Sequence, residues 1–343
     1  MVTFRCVLFM VLLATVASAQ VDQVVQTHVE SGLLHGTVLV ADRGEIVHES
    51  ACGLADAAWD QPNDLDTRFK IYSMTKQFTA VLVLQQAAAG KLRLDDTVSE
   101  HLPWFDEELG DRITIHQLLC HTSGIQEAPR SQMPMFVEGL PDESIPQYLS
   151  AGLGFEPGSQ FEYSGLAGFT ILAAILEAVT VQTYDSLLRD RILDPLGMGD
   201  TVYLDYQKLV PSKAEDYRRD DDGYRYRLQP YFIWANGASS LVTTARDLLK
   251  WDRGLRDETL LPAVWRDLLF TPHIEVPNGA YGYGFYLWTE HRTDPPRHFA
   301  YHAGGGSCGM VMDLDRDLTV VMLNNVLAPN VIGACFDVIE ALD

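Results

Sequence analysis

Apolar and polar positions along this chain change rhythm several times. Val7–Val16 is an unbroken apolar run close to the start. Val21–Leu34 then carries apolar residues at helical spacing and predicts an opening helix. Gly36–Ala41 and Ile46–Cys52 read as two strands, with Asp42-Arg43-Gly44-Glu45 as the turn between them. Ser73–Ala89 predicts one helix that is apolar on most faces, with Ser at its start and Gly90 at its end as the boundary signals. A helix apolar nearly all round is a buried one.

Residues 91–225 show mostly helical patterns interrupted by Pro and Gly. Ile113–Cys120 is a short helix running into His121-Thr122-Ser123-Gly124, and Leu166–Thr180 and Tyr184–Leu193 are further helices. Arg218–Arg227 is a charged, aromatic-rich loop or hairpin, and Thr243–Leu255 returns to a helix with Thr243 or Thr244 as its cap. From Tyr281 onward the period becomes that of strands. Phe285–Glu290, His298–His302, Met310–Leu314 and Leu318–Leu323 fit a meander, and Val331–Leu342 closes the chain as an amphipathic helix. Strands at both ends with helices between predict an α/β fold of the α+β type: an antiparallel sheet flanked by helices, built from both termini, with an inserted mainly helical domain. The sheet part spans about 20–85 and 235–343, and the helical part about 86–234. The cleft between them is the expected site.

Composition refines this picture. A chain of 343 residues, 47% of them hydrophobic, has room for a substantial core. Arg5, the apolar run after it and the small-x-small triplet Ala17-Ser18-Ala19 read as an export leader cut after Ala19. That implies a secreted or periplasmic protein with no stable membrane insertion once the leader is removed. The net charge is −22, and loss of Arg5 makes it −23. Such an acidic surface repels phosphate backbones, so nucleic acid is excluded as a partner. Cys52, Cys120, Cys308 and Cys335 remain after cleavage, and their pairing is open, though Cys308, in a Gly-rich segment, is expected to stay a free thiol. The histidines show no metal-ligating spacing, and no cofactor is implied.

The chemistry concentrates at Ser73-Met74-Thr75-Lys76. Residues three apart share a helix face, so Lys76 reaches the Ser73 hydroxyl. Serine is a weak nucleophile until a base takes its proton, and a lysine in an apolar setting is suited to that role. A competing signature, Gly305-Gly306-Ser307-Cys308-Gly309, matches G-x-S-x-G. It is rejected because a strand pattern follows it and no histidine lies after His302.

Several segments, in this order, then resemble the serine β-lactamase and penicillin-binding protein superfamily, in its class C, DD-peptidase and esterase branch. They are GTVLVADRGEIVHESACGLAD, KIYSMTKQFTA, GKLRLDDTVSEHLP, ITIHQLLCHTSGI, FEPGSQFEYSG, LLRDRILDPLGMGDT, GASSLVTTARDLLKW and YHAGG. The resemblance implies an acyl-enzyme mechanism with Ser73 as nucleophile and Lys76 beside it. It implies that Tyr163, in Tyr163-Ser164-Gly165, is the second-motif tyrosine. It places His302 and Gly304 in the third motif, with the backbone N–H groups of Ser73 and Gly305 as the oxyanion hole. The expected Tyr163 phenol is shifted down by Lys76, and by His302 when protonated.

Two positions depart from the family pattern: Gly165 stands where Asn is usual, and His302 where most lactamases have Lys. Both tilt the reading toward an esterase or other acyl hydrolase that cleaves a small-molecule ester or amide through an acyl-Ser73 intermediate. A β-lactamase or D-amino-acid carboxypeptidase acting on the same site, and a non-catalytic binding protein of the same fold, are the alternatives.

Overall fold

The structure is a computed structural model that describes residues 19–127, 151–205, 208–227 and 236–343. Its frame is an eight-stranded antiparallel sheet. The strands are β1 (Gly36–Asp42), β2 (Glu45–Ala51), β3 (Ile274–Val276), β4 (Gly279–Tyr281), β5 (Tyr286–Glu290), β6 (Arg297–Gly304), β7 (Cys308–Asp313) and β8 (Leu318–Asn324), in the spatial order β3-β4-β5-β6-β7-β8-β1-β2. The two ends of the chain therefore meet inside one sheet. β1 lies between β8 and β2, with Gly36 opposite Asn324 and Asp42 opposite Leu318.

Both faces of this sheet are covered. Val38 and Val40 join Val320 and Met322 in an outer core closed by Val21 and Val25 of the opening helix α1 (residues 19–30) and by Ala334 and Val338 of the closing helix. The alternate residues Leu39, Ala41, Val321 and Leu323 point the other way, into the larger core shared with the helical part. This explains why all seven residues of β8 are buried and why its pattern reads as one apolar run.

The helix α2 (Thr75–Ala88) is the axis of the larger core, with twelve of its fourteen residues buried. Phe78 stacks on Trp251 with ring centroids 3.9 Å apart, and the indole N–H of Trp251 donates to Gln77 Oε1 at 2.9 Å. The Thr79 hydroxyl donates to Gly237 O at 2.7 Å and meets the Tyr184 hydroxyl at 2.7 Å. Gln77 Oε1 and the Thr79 hydroxyl on this buried helix are thus partnered, while Gln77 Nε2 and Gln85 Oε1 are buried without a hydrogen bond. Helix α3 (Ala167–Thr180) packs beside it, and α4 (Ala245–Arg256) is capped by Thr244, whose hydroxyl accepts from the Asp247 N–H. The last helix, α5, is Val331–Glu340. Among the described residues no single helix is long and apolar enough to cross a membrane.

Two details differ from the sequence reading. Ser73 does not cap α2: it sits in a single 3-10 turn, Tyr72–Met74, that leads into the helix. The edge strand β3 and its neighbour β4, three residues each, are too short to show alternation. Arg218–Arg227, read as a loop or hairpin, lies in a small hairpin, Tyr217–Asp220 with Gly223–Tyr226. The expected leader falls almost wholly outside the described residues.

If the Phe78–Trp251 stack seats α2, Phe78→Ala loses about 3–5 kcal/mol of stability in urea unfolding. A loss under about 1 kcal/mol, the size of an ordinary substitution, would mean the helix is held elsewhere.

Candidate active site

The turn that carries Ser73 is held under tension. Tyr72, just before it, adopts φ +47°, a left-handed conformation that costs a bulky residue about 1–3 kcal/mol and persists only where its surroundings enforce it. Those surroundings are specific. The Tyr72 ring lies between Lys70 Nζ, 4.9 Å from its centroid, and the Arg227 guanidinium, at 5.3 Å, and its hydroxyl faces Asp216. Behind the ring is Gly305, where a Cβ would stand 2.6 Å from Tyr72 Cδ2. A Cβ on Gly304 would come within 2.0 Å of the Ile71 carbonyl oxygen. Both glycines of the third motif therefore abut the turn that presents Ser73, and no larger residue allows this approach.

Arg227 also donates to the Gly305 carbonyl at 2.5 Å and to Ser307 Oγ at 2.9 Å. Gly305 and Gly306, at φ +61° and +70°, form the turn between β6 and β7. Ser307 is buried and strand β7 follows it, which agrees with rejecting it as a nucleophile elbow.

Lys76 has no exposed surface. Its Nζ donates to Ser73 Oγ at 3.2 Å, to Gly165 O at 2.7 Å and to Ala238 O at 3.2 Å. It also stands 5.2 Å from the Tyr163 ring centroid and 5.6 Å from that of Phe169. The glycine that replaces the usual asparagine thus contributes its backbone carbonyl to the lysine. Glu127 fixes the loop around it: Oε1 accepts from Ser164 Oγ at 2.9 Å and from the N–H groups of Leu166 and Ala167 at 2.6 and 2.8 Å, at the N-terminus of α3.

The Tyr163 phenol is hydrogen-bonded to Ser73. Burial pushes its pKa well above the ordinary tyrosine value, and the smaller effect of the Ser73 bond works the other way. The expected downward shift is therefore corrected: desolvation outweighs the Ser73 bond, and the resting group is a neutral phenol. His302 is buried too, and its pKa is lowered to about 3, first by burial and then by Lys76. Its Nδ1 bonds the Ala303 carbonyl at 2.7 Å. It supplies no positive charge near neutrality, contrary to the expectation that a protonated His302 adds one.

The sequence-predicted residues Ser73, Lys76, Tyr163, His302, Gly304 and Gly305 are thus gathered at one place. Sequence reasoning missed four others: Glu127, Arg227, His121 and Tyr281. The His121 ring lies 4.4 Å from that of Tyr163 and 5.0 Å from that of Tyr281. The segment His121-Thr122-Ser123-Gly124 was visible as a helix stop, but nothing local marks the imidazole as part of the site.

Residues 21–334 match the family described as Beta-lactamase. The chain belongs to the beta-lactamase family. It is similar to protein flp of Staphylococcus aureus strain MW2, at 26% identity over 326 residues, covering 89% of this chain and 60% of flp. The chain thus spans about three fifths of the length of that relative. It is also similar to esterase EstB of Burkholderia gladioli, at 29% identity, covering 90% of each chain. The crystal structure of a penicillin-binding protein from Bacillus halodurans superposes with a TM-score of 0.79 at 26% identity, covering 92% of this chain and 98% of that one. Cys52, Cys120, Cys308 and Cys335 are unpaired thiols in this structure. Cys308 is buried, with its sulfur on the carbonyls of Lys70 and Asn324, as expected of a free thiol.

Buried neutral imidazoles make stability depend on pH. An unfolded histidine protonates as the pH falls through about 6.5. Folded His302 resists protonation down to about 3, and His121 is shifted in the same direction. Between those limits the unfolded state binds more protons, so stability falls as the pH falls. Urea midpoints at pH 7 and pH 5 should show this decline, and His302→Gln should show a smaller one. Equal declines in the two proteins would mean that His302 titrates alike in both states.

Proposed function

We propose that this protein is exported and cleaves small esters through an acyl-Ser73 intermediate. The observation that carries the reading is that Ser73 meets both Lys76 Nζ and the Tyr163 phenol, while the third-motif side chain is a neutral ring. Once Lys76 has lost a proton, its two remaining N–H groups stay on the Gly165 and Ala238 carbonyls and its lone pair takes the hydroxyl proton as Ser73 Oγ attacks the ester carbonyl. The oxyanion accepts from the backbone N–H groups of Ser73 and Gly305. Tyr163 gives its proton to the leaving alkoxide and regains one from Lys76, so the serine proton ends on the alcohol. Water then releases the acyl group by the same route in reverse.

A β-lactam acid or a C-terminal peptide presents a carboxylate, for which neutral His302 offers no charge. Gly165 offers no side-chain amide for a substrate amide. Similarity to a protein named as an esterase points the same way. Export is supported by Arg5, the apolar run Val7–Val16 and Ala17-Ser18-Ala19, and by Val21 and Val25 being buried, so that a cut after Ala19 leaves α1 able to dock. N-terminal sequencing of protein from the medium or periplasm should begin at Gln20.

Mass spectrometry after fluorophosphonate treatment should place the adduct on the peptide containing Ser73; an adduct on Ser307 would overturn the assignment. Turnover of p-nitrophenyl butyrate should exceed that of a chromogenic cephalosporin, since each missing polar contact costs about 1–3 kcal/mol. The reverse preference would move the reading to the β-lactamase alternative.

Tyr163→Phe keeps the ring and removes only the hydroxyl. It should fold normally and lose at least about a hundredfold in kcat, the scale of general acid–base catalysis. A near wild-type kcat would leave Lys76 as the sole proton-transfer group.

A further inference from the structure

Behind Tyr163 runs a chain of hydrogen bonds with one permitted direction. The Ser164 N–H donates to His121 Nδ1 at 3.2 Å. An N–H can only donate, so the neutral His121 ring carries its proton on Nε2. That nitrogen meets the Tyr281 hydroxyl at 3.2 Å, and the hydroxyl meets His302 Nε2 at 3.5 Å. His302 Nδ1 faces the Ala303 carbonyl at 2.7 Å, and a carbonyl can only accept. With a fixed donor at one end and a fixed acceptor at the other, His121 donates to Tyr281, Tyr281 to His302 and His302 to Ala303. The three side chains are 2%, 0% and 2% exposed, so no bulk water competes.

The ends of the chain lie beside the two motifs. His121 grips Tyr163 from both sides: its carbonyl accepts from the Glu162 N–H at 3.0 Å, and its ring accepts from Ser164. It does so at φ +57°, a left-handed conformation uncommon for a residue with a side chain. Ala303, at the other end, directly precedes Gly304 and Gly305.

We propose that His121 and Tyr281 are positioning residues that tie the Tyr163 loop to the His302–Gly305 strand and so set the spacing across the cleft between the proton-transfer group and the oxyanion-binding glycines. This rests on reading Ser73 as the nucleophile. Neither residue touches the reacting atoms; each acts through Tyr163 or His302. The device also occupies both nitrogens of His302, leaving the substrate a wall with no free charge or donor.

The test uses Tyr281→Phe, which keeps the ring and breaks two links. Tyr283→Phe is the control: the Tyr283 hydroxyl bonds His116 Nδ1 at 2.7 Å, a bond of the same kind outside this chain. On p-nitrophenyl butyrate, Tyr281→Phe should lose at least about tenfold in kcat with KM changed less than about twofold, as expected of a sub-ångström misplacement. Tyr283→Phe should stay within about twofold of wild type in kcat, as expected where no catalytic contact is lost. Nitrogen-resolved NMR of the wild type, which needs no variant to fold, should find the proton on Nε2 of His121 and on Nδ1 of His302. Opposite tautomers, or a Tyr281→Phe loss no greater than that of Tyr283→Phe, would overturn the proposal. Fluorophosphonate labelling separates the two layers. Wild type unlabelled at Ser73 overturns the nucleophile reading and the proposal with it. Wild type labelled, with kcat unchanged in Tyr281→Phe, overturns the proposal alone.

Discussion

A lysine nitrogen removed from solvent is the constraint on which the rest of this site depends. Taking Lys76 into the core is costly unless its donors are met, and the structure meets them with the Gly165 and Ala238 carbonyls and the Ser73 hydroxyl. Each acceptor comes from a different part of the chain, so the lysine stays satisfied only while the second-motif loop, the segment before Leu241 and the serine turn are assembled together. Glu127 then serves that assembly, because it pins the loop whose carbonyl faces the lysine. The left-handed Tyr72 serves it too, by aiming Ser73 at Nζ.

Much of this was legible before any coordinates. A serine and a lysine three apart on an apolar helix state their own geometry, and that pair is in contact. The meander of β5 to β8 and the pairing of the two termini followed from strand periodicity at both ends of the chain. Tyr163 and His302 were found differently: only the order of several modest segments singled them out.

What escaped notice is tertiary in origin. His121, Tyr281, Glu127 and Arg227 lie far from Ser73 in sequence and carry no local pattern that marks them; folding alone brings them together. The direction of the Tyr163 shift was misjudged for a related reason. A neighbouring cation can be guessed from a motif, but the degree of burial cannot. Membership of the family and the fold do not choose a substrate, because that choice lies with the side chains facing the cleft.

The position of β1 has a further consequence. Its neighbour β8 follows it nearly 300 residues later in the chain. Until β8 is made, the centre of the sheet has an empty slot, and neither core can close around it. Contacts so distant along the chain slow folding. The cleft is therefore a late product of folding, because the sheet that carries His302 cannot close before that distant pairing is made.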